Sequence, residues 1–350
     1  MKRNIFLSIS LLLIVLMLSA CVSNESNNEK ISTTTDVEQT NASSLGKTYA
    51  FKLGHNTQET HLFHKTSEVF AEKLEELSDG RMTLSLFPAS QLGTEADMTS
   101  QVENGALDFA FITNAYMSTR EESLNSWFMP YVFNDISAAL EMAKTEEAQA
   151  LLDSISTQGF KGLGFVFAGN RHVLMKQGFA EDPNAVSGKK VRIIGSPSIQ
   201  TYWETIGAQP TSMPLSEVYT SLQTGVIDGM DIDLDALVAE KYYEQANYLT
   251  LTNHFAFPTV AIVSDATFNK LSAEDKAIVE EAMAVAIAWG AEEVIKRESS
   301  NLETVKAEGV EVLENPNTDT YETFAQTVHD QYESKNELIA KFLEKAKSLQ

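Results

Sequence analysis

Hydrophobic and polar positions divide the chain into three stretches. Residues 5–18 (IFLSISLLLIVLML) are apolar apart from two serines, follow Met1-Lys2-Arg3, and end at Leu18-Ser19-Ala20-Cys21. A basic start, an apolar run too short to span comfortably and small residues at its end predict a secretory signal over 1–20. Residues 21–46 are rich in Ser, Thr and Asn and hold almost no large apolar side chain, which predicts a flexible tether. From residue 47 the pattern becomes periodic. Tyr49, Phe51 and Leu53 alternate, predicting a strand that ends at Gly54. Phe63, Phe70, Leu74 and Leu77 share one face of a helix stopped by Asp79-Gly80. Met82, Leu84 and Leu86 alternate up to Pro88, and a helix through Met98 and Val102 stops at Asn104-Gly105. The apolar run LDFAFI (107–112) reads as a strand covered on both faces.

The cycle then recurs. KVRII (190–194) predicts a strand, 198–206 a helix, and 216–224 a helix capped by Ser216. Asn104-Gly105-Ala106-Leu107-Asp108 and Thr224-Gly225-Val226-Ile227-Asp228 share a helix stop, a glycine and an Asp three places on. Such an internal echo predicts two similar lobes. TVAIV after Pro258 predicts another strand, and Ser272 caps a helix that can exceed 30 residues and lie across both lobes. VEVL (310–313) is a short strand, and a charged amphipathic stretch over 318–348 closes the chain. Alternating strands and helices predict an α/β sheet with helices on both faces.

Composition narrows the function. Cys21 is the chain's single cysteine, so no internal disulfide forms and the core alone must stabilise an exported protein. Its place directly after the small residues resembles a bacterial lipobox, which implies lipidation at Cys21. Loss of residues 1–20 would take the net charge from −23 to −25, which argues against nucleic acid or an anionic membrane surface as partner. An anionic ligand would therefore need a local site built from a few placed cations.

Three chemistries compete for the polar residues. His55, His61 and His64 in GHNTQETHLFH could offer metal nitrogens, but no cysteine supports them. In open α/β sheets ligands bind beyond the carboxyl ends of strands, where the Gly54-His55-Asn56 loop falls. His55 and Asn56 therefore stand between ligand contact and ordinary loop roles, and His61 and His64 between ligand contact and service to the helix entry. Arg192 sits in an apolar strand, so its charge requires a partner: a ligand carboxylate, or Asp231 and Asp233 in GMDID. Arg171, after the apolar run GLGFVF, is a second cation at a strand end. The chain has no Gly-x-Ser-x-Gly elbow, phosphate loop or dinucleotide fingerprint. An Asp231–Asp233 pair could run acid–base chemistry but is more simply a counter-ion of Arg192, and no cofactor is implied.

The run LGHNTQETHLFHKTSEVFAEKLEELSDGRMTLSLFPASQLGTEADM resembles the opening of TRAP (tripartite ATP-independent periplasmic) transporter substrate-binding proteins of the dicarboxylate-binding family. GALDFAF, FMPYVF, GKKVRIIGSP and GAQPTSMPLSEVYTSLQTGVIDG extend the likeness, in order, over roughly 48–345. The resemblance implies a two-lobed, periplasmic-binding-protein-like α/β fold (type II-like), with crossing hinge strands and a long lobe-spanning helix. Lobe I would hold 47–168 and 258–297, and lobe II 169–257 and 298–350. It implies a monomer that passes a small carboxylate to transporter membrane subunits and carries out no catalysis. A sensory protein for the same acids, or an enzyme on the same scaffold, are the alternatives. The family's carboxylate-clamping arginine falls on Arg192, a second arginine near the ligand on Arg171, a loop asparagine on Asn56, an aromatic position on Leu215, and a ligand-facing strand end on Thr113. Ile232 replaces a common ligand-binding asparagine, and Thr113 and Tyr116 replace charged residues of sialic-acid binders. A C4-dicarboxylate, keto acid or sugar acid is therefore expected. Asp231 and Asp233 would exclude extra negative charge or bind sugar hydroxyls.

Overall fold

The structure is a computed structural model that describes residues 46–349. The signal, the tether and Cys21 lie outside the described residues.

Ten strands form the sheet: β1 (Tyr49–Gly54), β2 (Met82–Phe87), β3 (Phe109–Thr113), β4 (Phe160–Met175), β5 (Lys190–Ile193), β6 (Gln209–Ser212), β7 (Gly229–Asp233), β8 (Tyr248–Thr250), β9 (Ala256–Ser264) and β10 (Glu311–Leu313). The order is β2-β1-β3-β9-β4-β7-β5-β6, with β8 beside β4 and β10 beside β8. The predicted repeat is visible here. In each half three parallel strands, β2-β1-β3 and β6-β5-β7, meet an antiparallel strand, β9 or β4.

The repeated pentapeptides build the same joint twice. Gly105 (φ 77°) and Gly225 (φ 73°) end their helices in the left-handed region that only glycine enters cheaply. Three residues on, Asp108 accepts the Lys52 backbone N–H at 3.0 Å and Asp228 accepts that of Lys190 at 2.8 Å. Each carboxylate thereby ties the entry of a central strand to its neighbour.

Strand β4 links the halves. Its first part pairs with β9 and its last five residues with β7. Between them the register shifts at Phe167–Asn170, where Glu298 accepts the Asn170 N–H at 2.9 Å. Arg171, expected at a strand end, therefore lies inside a 16-residue strand. The long helix Ala273–Ala307 starts from the predicted Ser272 cap and packs on α1 (Leu62–Leu77), on β4 and on the Leu234–Ala239 helix, reaching both halves. One expected detail is corrected. The Leu215–Thr224 helix is entered through Pro214, whose ring fixes φ (−58°), so Ser216 falls inside the first turn and does not cap it.

Candidate functional site

A cavity of about 280 Å³ opens where β1, β3, β5 and β7 end. Its walls come from the loop after β1 (Asn56, Thr57, His61), the start of α2 (Glu95–Asn104), Thr113 at the end of β3, Arg171 on β4 and Arg192 on β5. Met213–Ser216, Ile232–Asp233 and Tyr116 also line it.

Arg192 is 1% exposed. Its Nε and Nη2 donate to the Met213 carbonyl at 3.3 and 3.0 Å, while Nη1 has no partner among the described residues. Burial pushes the guanidinium down to about 10, still charged at neutral pH. Asn56 also lines the cavity, and its Oδ1 accepts nothing from the described residues. A buried cation with a free N–H and an acceptor without a donor are costly unless a ligand completes them.

Arg171 differs. Its Nε and Nη2 bond Asp231, and its Nη1 donates to Asp233 at 2.9 Å. Its guanidinium also lies 4.3 Å from the centre of the Phe257 ring. Asp231 further accepts Trp203 Nε1 at 3.2 Å and meets His254 Nε2 at 3.1 Å. Burial alone would raise the Asp231 carboxyl; Arg171 and His254 hold it well below the usual carboxylate range. The register explains the pairing. Arg171 stands opposite Asp233 on the antiparallel β4–β7 ladder, and Asp231 lies two residues along the same face. The two aspartates are thus counter-ions of Arg171, where the sequence offered them to Arg192. Asp233 touches the cavity edge and also caps the next helix through Ala236 N–H at 2.7 Å, whereas Asp231 is not among the cavity-lining residues.

The histidine cluster separates. His55 is fully buried behind the cavity wall, bonded to Thr57 Oγ1 and to His64 Nδ1, each at 3.0 Å. Burial, with His64 beside it, pushes His55 down to about 3, so it stays neutral. His55, offered as a ligand contact by its loop position, therefore does not line the cavity, whereas His61 does. His61 Nδ1 accepts Phe63 N–H at 3.0 Å and caps α1, which leaves the proton on Nε2, 3.8 Å from Asp233 Oδ1. Asn56, Thr113, Leu215 and Ile232 line the cavity, the last two as apolar wall.

Glu95 escaped the sequence reading because acids are common in this chain. Its carboxylate accepts the Thr113 backbone N–H at 2.6 Å, across a gap of eighteen residues that no periodicity reveals. Burial pushes it up to about 7.

Residues 53–336 match the family described as DctP, bacterial extracellular solute-binding protein, family 7. The chain belongs to the DctP family. Within the family's range of relatives, the 2,3-diketo-L-gulonate-binding periplasmic protein YiaO of Escherichia coli is 27% identical over 75% of this chain and 80% of its own. The sugar acid binding protein DctPAm from Advenella mimigardefordensis, crystallised with galactonate, superposes with a TM-score of 0.82 at 25% identity, covering 87% of this chain and 99% of that one. A TRAP periplasmic solute-binding protein from Sulfitobacter sp. NAS-14.1, with bound β-D-galacturonate, gives 0.80 at 25% identity over 84% and 98%. The DctP chain thus has the two-lobed α/β fold of periplasmic solute-binding proteins. No helix among its described residues is long and apolar enough to cross a membrane.

Proposed function

We propose that this protein captures a small organic acid on Arg192 and delivers it to the membrane subunits of a TRAP transporter, acting as a binding protein and not as an enzyme. The observation that carries the reading is the buried Arg192 guanidinium, whose Nη1 is unpartnered among the described residues and lies at a cavity of ligand size. A carboxylate accepts two parallel N–H bonds from such a fork, and water excluded by lobe closure strengthens the pair. Lobe I would comprise 47–168 and 258–297, and lobe II 169–257 and 298–350. That division crosses β4 at its register shift, where a strand bends most readily. Diacylglycerol on Cys21 would hold the monomer at the membrane while the tether leaves the lobes free to reach the transporter.

The test is a thermal-shift screen of organic acids followed by calorimetry. A ligand at about 100 times its Kd adds ~2.7 kcal/mol of stability. Acids should raise the melting temperature and neutral sugars should not. Arg192→Ala should fold and lose at least about a hundredfold in affinity; near wild-type affinity in that variant defeats the proposal.

A further inference from the structure

The cavity holds two arginines, but one charge is already spent. Among the described residues, Arg171 is balanced by Asp231 and Asp233, and Arg192 is the cavity cation that keeps an N–H for a ligand. The same cavity also presents acceptors. Asn56 Oδ1 is buried without a donor, and the Glu95 carboxylate is held at the wall by Thr113 N–H. A polyhydroxy acid brings one carboxylate for Arg192 and several O–H donors for these acceptors. A dicarboxylate brings a second anion and fewer donors, and would set it against Glu95 in a space of about 280 Å³.

We infer that Glu95 is the specificity-determining residue of this site, admitting monocarboxylate sugar acids through hydroxyl bonds and rejecting dicarboxylates by charge. The inference rests on the carboxylate reading of Arg192 and assigns to Glu95 the filtering role that the sequence offered to Asp231 and Asp233. At the effective dielectric of a partly buried pair, like-charge repulsion across such a cavity corresponds to roughly tens of fold in Kd. The groups facing Glu95 are Thr113 from β3, Arg192 from β5, and across the cavity His61 and the Arg171–Asp233 pair. Burial keeps the Glu95 carboxyl titrating near neutrality, so the filter should sharpen as it ionises.

The experiment is calorimetry on matched pairs of equal carbon number: galactonate with galactarate, and erythronate with tartrate. Each is measured at pH 6 and pH 8 on the wild type, Glu95→Gln and Glu95→Asp. The wild type should prefer the monocarboxylate by tens of fold at pH 8 and by less at pH 6. Glu95→Gln can still accept Thr113 N–H. It should cut the preference to under about fivefold at both pH values, with monocarboxylate binding weakened by no more than about tenfold. Glu95→Asp should keep a charge-dependent preference. His61 is common to all three proteins, so its titration cancels in the comparison. If acids bind but Glu95→Gln keeps the wild-type ratio, or if the wild type takes dicarboxylates equally well at pH 8, the Glu95 inference falls alone. If no acid of any pair binds, the Arg192 reading falls and this inference with it.

Discussion

Arg171 and Arg192 flank the same strand, β7, which neutralises only one of them. Antiparallel pairing sets Asp231 and Asp233 on the face of Arg171, whereas parallel pairing levels Arg192 with Met230, whose side chain alternates with both aspartates onto the other face. Arg192→Lys should therefore weaken acid binding by about tenfold or more in calorimetry, because an ammonium cannot replace a planar fork. A second residue-scale prediction concerns acid stability. His55 and His172 are both held near 3 by burial. Their depressed values mean that stability is full above the unfolded value of about 6.5. As pH falls below that value, the unfolded chain binds protons that the folded one refuses, and stability drops until the folded groups titrate. His55→Gln should flatten the decline between pH 6 and 4 by up to ~1.4 kcal/mol per pH unit, read by urea unfolding at each pH.

At the scale of elements, the two glycine joints offer a matched comparison. Both lie in the left-handed region, so alanine at either should cost ~1–2 kcal/mol from backbone strain. The surroundings differ. A Cβ on Gly225 would meet nothing nearer than Lys176 Nζ at 3.9 Å, whereas one on Gly105 would sit 2.8 Å from Ala266 Cβ. Gly105→Ala should therefore destabilise more than Gly225→Ala in denaturant titrations, by ~1 kcal/mol or more. Most elements were legible because their signals are local. Alternation marked β1 and β2, and the Ser272 cap and helical period marked the long helix. Strand β4 was not legible as one element. Its continuity depends on β9 holding one end and β7 the other, partners roughly 60–100 residues away.

At the scale of the whole molecule, charge and site oppose each other. The net charge of −23 surrounds a site whose Arg192 guanidinium keeps one N–H without a partner among the described residues. The association rate for an anionic ligand should rise as salt increases from ~10 to ~150 mM, because screening weakens long-range repulsion before it reaches the buried Arg192 contact. Stopped-flow binding at several ionic strengths measures this, and a rate that falls with salt would mean that a local positive field controls encounter.

The sequence by itself determined the α/β alternation, the repeated glycine–aspartate joint and the requirement that Arg192 find a partner. These follow from periodicity, from the glycine needed at φ > 0, and from the cost of an unpaired buried charge. Only the tertiary structure decided which acids meet which arginine, that His61 and not His55 reaches the cavity, and that Glu95 stands in its wall. Those outcomes depend on strand register and on contacts between segments far apart in the chain. A shift of one residue in β7 would have exchanged the faces, and the local sequence would read the same.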